Sequence, residues 1–171
     1  MLSKEQTGAI APGKRVMLII FAALILGVSA FAAFVCVLRL GDEDGLFNLD
    51  FGFLAIMGVG FAALVLLPSL IVPLIMKKQA VTNVANEFSG KMQDSRAATK
   101  LLGGLQTSMI VRLSLLDGAA FFNILAFFLD GSVYNLLATG VLLALMFLSL
   151  PLPDRIDNKI SDMLDEAKLK G

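Results

Sequence analysis

Two stretches of this chain run without a single charge for longer than a helix needs to cross a bilayer. Residues 16–38 and 51–76 are 23 and 26 residues long and contain no Asp, Glu, Lys or Arg. A transmembrane helix needs about 20 apolar residues. Hydrocarbon offers no partner for an open backbone N–H or C=O, so such segments have to be helical. Two further runs follow at 107–129 and 133–152, the first interrupted by Arg112 and Asp117. The pattern predicts an all-α polytopic membrane protein with four transmembrane helices in a single domain, and composition agrees. Of the 171 residues 57% are hydrophobic and 16% charged, too apolar a balance for an ordinary soluble domain.

The same counts limit the chemistry. Lys+Arg and Asp+Glu both number 14, so no net charge argues for nucleic acid. Histidine is absent and Cys36 is the single cysteine, which leaves no Cys/His metal site and no intramolecular disulfide. Catalytic and phosphate-binding motifs are missing: there is no Gly-x-Ser-x-Gly, no phosphate loop and no Cys-x-x-Cys. The expectation is a non-enzymatic protein with no metal and no cofactor. The acidic cluster Asp42-Glu43-Asp44 lacks the ligand spacing of a calcium loop and reads as a solvated turn.

The connecting segments are polar. Residues 1–15, with Gly8, Pro12 and Gly13, read as a short flexible tail. A cleaved signal peptide is the rival reading, since Lys14-Arg15 precede the first run and Ala30-Phe31-Ala32 resembles a cleavage site. That run is longer than a signal-peptide core, however. Ala23, Gly27 and Ala30 lie near one face, a small-residue pattern that lets membrane helices approach. Pro68 and Pro73 should bend the second span near its far end.

Within 77–106, Val81, Val84, Phe88 and Met92 recur at helical spacing, predicting an amphipathic helix at the interface whose lysines rest on anionic headgroups. A helix packed on the bundle is the equal alternative. Gly103-Gly104 suggest a turn. Residues 154–170 carry Ile156, Ile160, Met163, Leu164 and Ala167 on one stripe and mixed charge. This predicts a helix that docks on protein, with 77–106 as its natural partner.

Basic residues set orientation in membrane proteins. Three precede the first span, five lie in 77–106 and four follow the last, against one in 39–50 and none in 130–132. Both termini are therefore expected in the cytoplasm.

The third span holds the candidate site. Asp117 lies ten residues in, ~15 Å along the helix and close to the middle of a core ~30 Å thick. A carboxylate there costs roughly 2.5–3.5 kcal/mol on insertion scales, so it needs a proton, a partner or a polar cavity. Ser114 shares its face, Asn123 adds an amide two turns on, and Arg112 lies ~140° around the helix, better placed to snorkel than to pair with Asp117. Ser29, Ser69, Asn135 and Thr139 are the candidate partners on other helices. Asp117 is either an ion- or proton-binding carboxylate or a structural interhelical clasp. The second reading is preferred, because no other span carries an acid to make a relay.

The run Leu113-Ser114-Leu115-Leu116-Asp117-Gly118-Ala119-Ala120-Phe121-Phe122-Asn123-Ile124-Leu125 resembles the carboxylate-bearing second helix of rotary ATPase proteolipid c subunits. That resemblance implies Asp117 as the ion-binding position. The whole chain is similar to uncharacterised four-span bacterial inner-membrane proteins carrying a related Leu-Leu-Glu/Asp-Gly-Ala-Ala-Phe-Phe-Asn helix, which implies a bacterial inner membrane and no assigned activity. The combined expectation is a structural or accessory subunit in the lipid bilayer, working as a homo-oligomer or within a larger membrane complex. The alternative is a proton- or ion-translocating subunit centred on Asp117.

Overall fold

The computed structural model describes residues 3–40, 48–49, 52–88 and 94–170. Among these the chain forms five helices: α1 (Lys4–Arg39), α2 (Phe53–Phe88), α3 (Asp94–Asp130), α4 (Val133–Leu148) and α5 (Pro153–Lys170). No strand is present among the described residues; one isolated bridge joins Asn48 to Ser132. Three helices, α1, α2 and α3, are long and apolar enough to cross a membrane. With 16 residues, α4 rises only ~24 Å and reaches span length only together with the residues after it. The fold is that of an all-α polytopic membrane protein. The Asp42-Glu43-Asp44 cluster lies outside the described residues.

The chain divides into two compact units. One comprises Met1–Phe21, Ile71–Val111 and Leu150–Gly171, the other Ala22–Leu70 and Arg112–Ser149. All lysines and arginines except Arg39 and Arg112 fall in the first.

The first unit has a conventional apolar core. Ile10 and Met17 of α1, Val81, Val84 and Ala85 of α2, and Ala97, Ala98, Leu101 and Leu102 of α3 surround the α5 stripe Ile156, Ile160, Met163, Leu164 and Ala167. The amphipathic pattern of α5 is thus satisfied by protein, with Asp154, Arg155, Lys159, Asp162, Asp165 and Lys168 exposed. Ion pairs within the unit join Lys14 to Asp157 and Lys100 to Glu87 at 2.6 Å. The latter is exposed, worth at most about 1 kcal/mol.

Two local expectations are corrected here. Residues 4–15 are not a tail but the opening turns of α1. Ser3 and Gln6 make a reciprocal cap: the Ser3 N–H donates to Gln6 Oε1 at 2.7 Å and the Gln6 N–H donates to Ser3 Oγ at 3.2 Å. This satisfies two of the amides a helix start leaves open. Pro12 costs one backbone hydrogen bond, and burial of Ile10 offsets it. Nor do Gly103 and Gly104 make a turn, since α3 runs through both. A Cβ on Gly104 would lie 2.6 Å from the Ala80 Cβ, so that glycine serves close approach of α2 and α3. Segment 77–106 instead divides between the end of α2 and the start of α3.

The second unit is built the other way round. Its interior is lined by small or branched residues such as Val28, Ala55, Ala62, Leu116, Ala119, Ala120, Ile124 and Leu142, together with Phe127, while Leu26, Phe34, Ile56, Leu64, Leu67, Leu129, Leu137, Val141 and Phe147 are exposed. Apolar surface on this scale marks a lipid-facing exterior. Phe31 packs on Phe121 at 5.2 Å and Phe61 on Phe122 at 5.1 Å between ring centroids. Both pairs seat α3 against its neighbours at separations favoured by ring quadrupoles. The prolines 68 and 73 are carried inside a continuous α2.

Candidate functional site: a buried amide node beside a lone carboxylate

Among the described residues, the completely buried polar side chains of the second unit lie on α3, on α4 and in the turn between them. Asn123, Asn135 and Ser132 are completely buried, and Thr139 nearly so. The tight turn that joins the two helices explains why. Gly131 adopts φ +66°, a conformation open to glycine at no steric cost. It returns the chain so that residues 123 and 135 fall within about one helical turn of the same level.

Asn123 Nδ2 donates to the Gly58 carbonyl on α2 at 3.1 Å and to the Ala119 carbonyl on its own helix at 2.9 Å. A Cβ on Gly58 would lie 2.7 Å from Asn123 Oδ1, 3.2 Å from Asn135 Cγ and closer still to Asn135 Oδ1. Gly58 is therefore the cradle that lets two amides from two helices meet a third. Asn123 Oδ1 and both polar atoms of the Asn135 amide accept or donate no hydrogen bond among the described residues. A buried polar atom without a partner costs stability, so such atoms favour any arrangement that satisfies them.

At the end of this unit Arg39 of α1 braces the turn. Its Nη1 donates to the Phe128 carbonyl at 2.8 Å, one of the carbonyls a helix end leaves open. Its guanidinium carbon stands 5.9 Å from the centre of the Phe127 ring, within cation–π range. The Asn48 N–H donates to the Gly131 carbonyl at 2.8 Å and the Val133 N–H to the Asn48 carbonyl at 3.0 Å, tying the α1–α2 connection to the same turn.

The residues singled out by sequence are dispersed. Asn123 is at the node. Asp117 is half-buried, with its Oδ1 enclosed and accepting no hydrogen bond. Arg112 is half-buried with an enclosed Nε that likewise lacks a partner. No ion pair joins Arg112 and Asp117. Ser114 is exposed. Among the candidate partners for Asp117, Ser69 donates to the Leu66 carbonyl at 2.7 Å and Thr139 to the Asn135 carbonyl at 2.9 Å. Both hydroxyl protons are thus spent on their own helices, while Asn135 turns to Gly58 and Asn123. The sequence reading missed Gly58 and Arg39. The short 130–132 turn could have signalled that 123 and 135 face each other.

The arrangement has the means to hold helices together and the means to keep one carboxyl group shielded. Among the described residues no cluster of three or more Cys, Asp or Glu could hold a metal ion. The fold and the reversed polarity of the second unit define an integral membrane protein of helical-bundle type. No family model, no curated protein and no solved structure matches the chain.

Proposed function

We propose that this protein is a non-enzymatic structural or accessory subunit of a bacterial inner membrane, acting through helix–helix packing within its own bundle and with itself or a larger complex. One observation carries this reading: the completely buried amides of Asn123 and Asn135 converge on Gly58, where Asn123 bonds α3 to α2 and Asn135 packs in from α4. Intramembrane hydrogen bonds of this kind contribute modestly, ~0.6 kcal/mol on average, but they fix register. The confinement of all basic residues but two to the unit containing both chain ends supports a cytoplasmic placement of that unit, because translocation selects against Lys and Arg.

The second reading is a proton- or ion-translocating subunit, favoured by the enclosed, unpartnered Oδ1 of Asp117. Carbodiimide reacts with protonated carboxyls in lipid and separates the two. For a structural subunit, Asp117→Asn leaves growth and ion flux unchanged, and labelling of Asp117 is slow and insensitive to Na⁺. Rapid labelling blocked by Na⁺, together with loss of flux in Asp117→Asn, would replace the structural reading with the translocating one. Co-purification in mild detergent identifies the complex, and recovery of a lone monomer under every mild condition would refute the accessory role.

A further inference from the structure

We infer that the first unit carries a band of cations that selects anionic phospholipid headgroups, formed by Arg15 of α1, Lys77 and Lys78 of α2 and Arg155 of α5. The inference rests on membrane insertion, which the length and apolarity of the helices support, and not on either role of Asp117.

Three contacts fix a common level in this unit. The site a Cβ would take on Gly13 is filled by the side chain of Leu102. Gly104, two residues further along α3, lies against Ala80. Lys14 is ion-paired with Asp157. Residues 13–14, 80, 102–104 and 157 therefore share one layer across four helices. From that layer the apolar stretches lie at higher numbers on α1 and at lower numbers on α2. Pro151 and the apolar run before it likewise lie at lower numbers than α5.

All four cations are displaced from the layer in those directions. Arg15 is one residue on from Lys14, Lys78 and Lys77 are two and three before Ala80, and Arg155 is two before Asp157. At ~1.5 Å per residue all four fall within about one helical turn of each other in height. Immediately beyond them the exposed apolar surface begins: Val16 and Ile19 on α1, Leu74 and Ile75 on α2, Leu152 before α5. Arg15, Lys78 and Arg155 are exposed and Lys77 is half-exposed. None of the four is hydrogen-bonded or ion-paired among the described residues, whereas Lys14, one residue below the band, has Asp157. Asp154, in the first turn of α5, also lies at this height and lowers the net charge without cancelling it.

Cations at the edge of a lipid-facing surface meet headgroup phosphates, with their stems along the apolar surface and their charges in the interface. A zwitterionic headgroup offsets its phosphate with its own ammonium; an anionic one does not. Each Lys or Arg near an anionic surface adds on the order of a fivefold preference.

The test uses the full-length protein in bilayers containing spin-labelled phosphatidylglycerol or phosphatidylcholine, reading the relative association constants of the immobilised lipid. The wild type prefers phosphatidylglycerol by fivefold or more. In the variant combining Arg15→Gln, Lys77→Gln, Lys78→Gln and Arg155→Gln the two lipids associate alike. A control combining Lys4→Gln, Arg96→Gln and Lys159→Gln, exposed cations elsewhere in the same unit, retains the preference. Should the fourfold variant fail to fold, Arg15→Gln and Arg155→Gln measured singly each show a partial loss. Equal association of both lipids with the wild type, or equal loss in the control, would overturn the proposal. Absence of any immobilised lipid would instead overturn membrane insertion itself.

Discussion

Gly58 and Gly60 are two residues apart on α2, yet adding one methyl group to each should change stability in opposite directions. At Gly58 the new Cβ would stand 2.7 Å from Asn123 Oδ1 and nearer to Asn135 Oδ1, closer than carbon and oxygen approach. Both amides are completely enclosed, so neither can swing away without displacing a neighbour. Overpacking of this kind costs about 1–3 kcal/mol. Parting α2 from α3 also removes the Asn123 Nδ2 bond to the Gly58 carbonyl, a further ~1 kcal/mol. Against this stands the helix preference of Ala over Gly, at most about 1 kcal/mol. The net expectation for Gly58→Ala is a destabilisation of about 1–3 kcal/mol by these three effects. At Gly60 nothing lies within 4 Å of the added atom. Only the helix preference remains there, so Gly60→Ala is neutral or stabilising by up to about 1 kcal/mol. Thermal unfolding of both variants in one detergent, followed by circular dichroism and by tryptophan-free near-UV signals of the phenylalanines, measures the difference directly. A Gly58→Ala protein as stable as wild type, or two variants destabilised alike, would refute the crowding of the two amides around Gly58.

Other substitutions probe separate parts of the fold. Asn123→Leu removes the node's donor to the Gly58 carbonyl and should lower stability by about 1–3 kcal/mol, seen as a lower unfolding midpoint; a more stable variant would show that the node does not hold the helices. Ile160→Ala empties a fully buried site on α5 at a cost of about 2–5 kcal/mol, and protease sensitivity of the C-terminal helix in the intact protein is the readout. Gly131→Ala places a Cβ against the Arg39 guanidinium in a backbone conformation that L-residues resist. It should destabilise by at least ~1 kcal/mol, and a variant that unfolds at the wild-type temperature would contradict the brace. Ser3→Ala removes half of the reciprocal cap at the start of α1, a loss of about 0.5–2 kcal/mol, measurable as faster amide exchange in the first turns.

The membrane class was legible because it depends on a property summed over many residues. An uncharged run of 23 or 26 positions has few alternatives whatever surrounds it. The stripe on α5 was legible for the same reason: Ile156, Ile160, Met163, Leu164 and Ala167 repeat at helical spacing, and any apolar face at hand would cover them. The opening of α1 was hidden by Gly8, Pro12 and Gly13, residues that break helices in isolation. Here Ile10 and Met17 bury enough surface to carry the helix through them, although the Ser3–Gln6 cap was readable at a spacing of three.

By itself the amino-acid sequence determined the solvent of this protein, its helical content and the segregation of its charges, since hydropathy and periodicity need no knowledge of neighbours. Tertiary structure alone decided which polar groups meet. Asn123 and Asn135 were visible as residues, but their convergence on Gly58 depends on the tightness of the Gly131 turn and on a glycine two helices away. Asp117, the most conspicuous residue of the sequence, accepts no hydrogen bond at its enclosed oxygen. Hydrogen bonds are short and directional, so a linear pattern can supply the donors and acceptors of a membrane bundle, and only the packing distance between its helices pairs them.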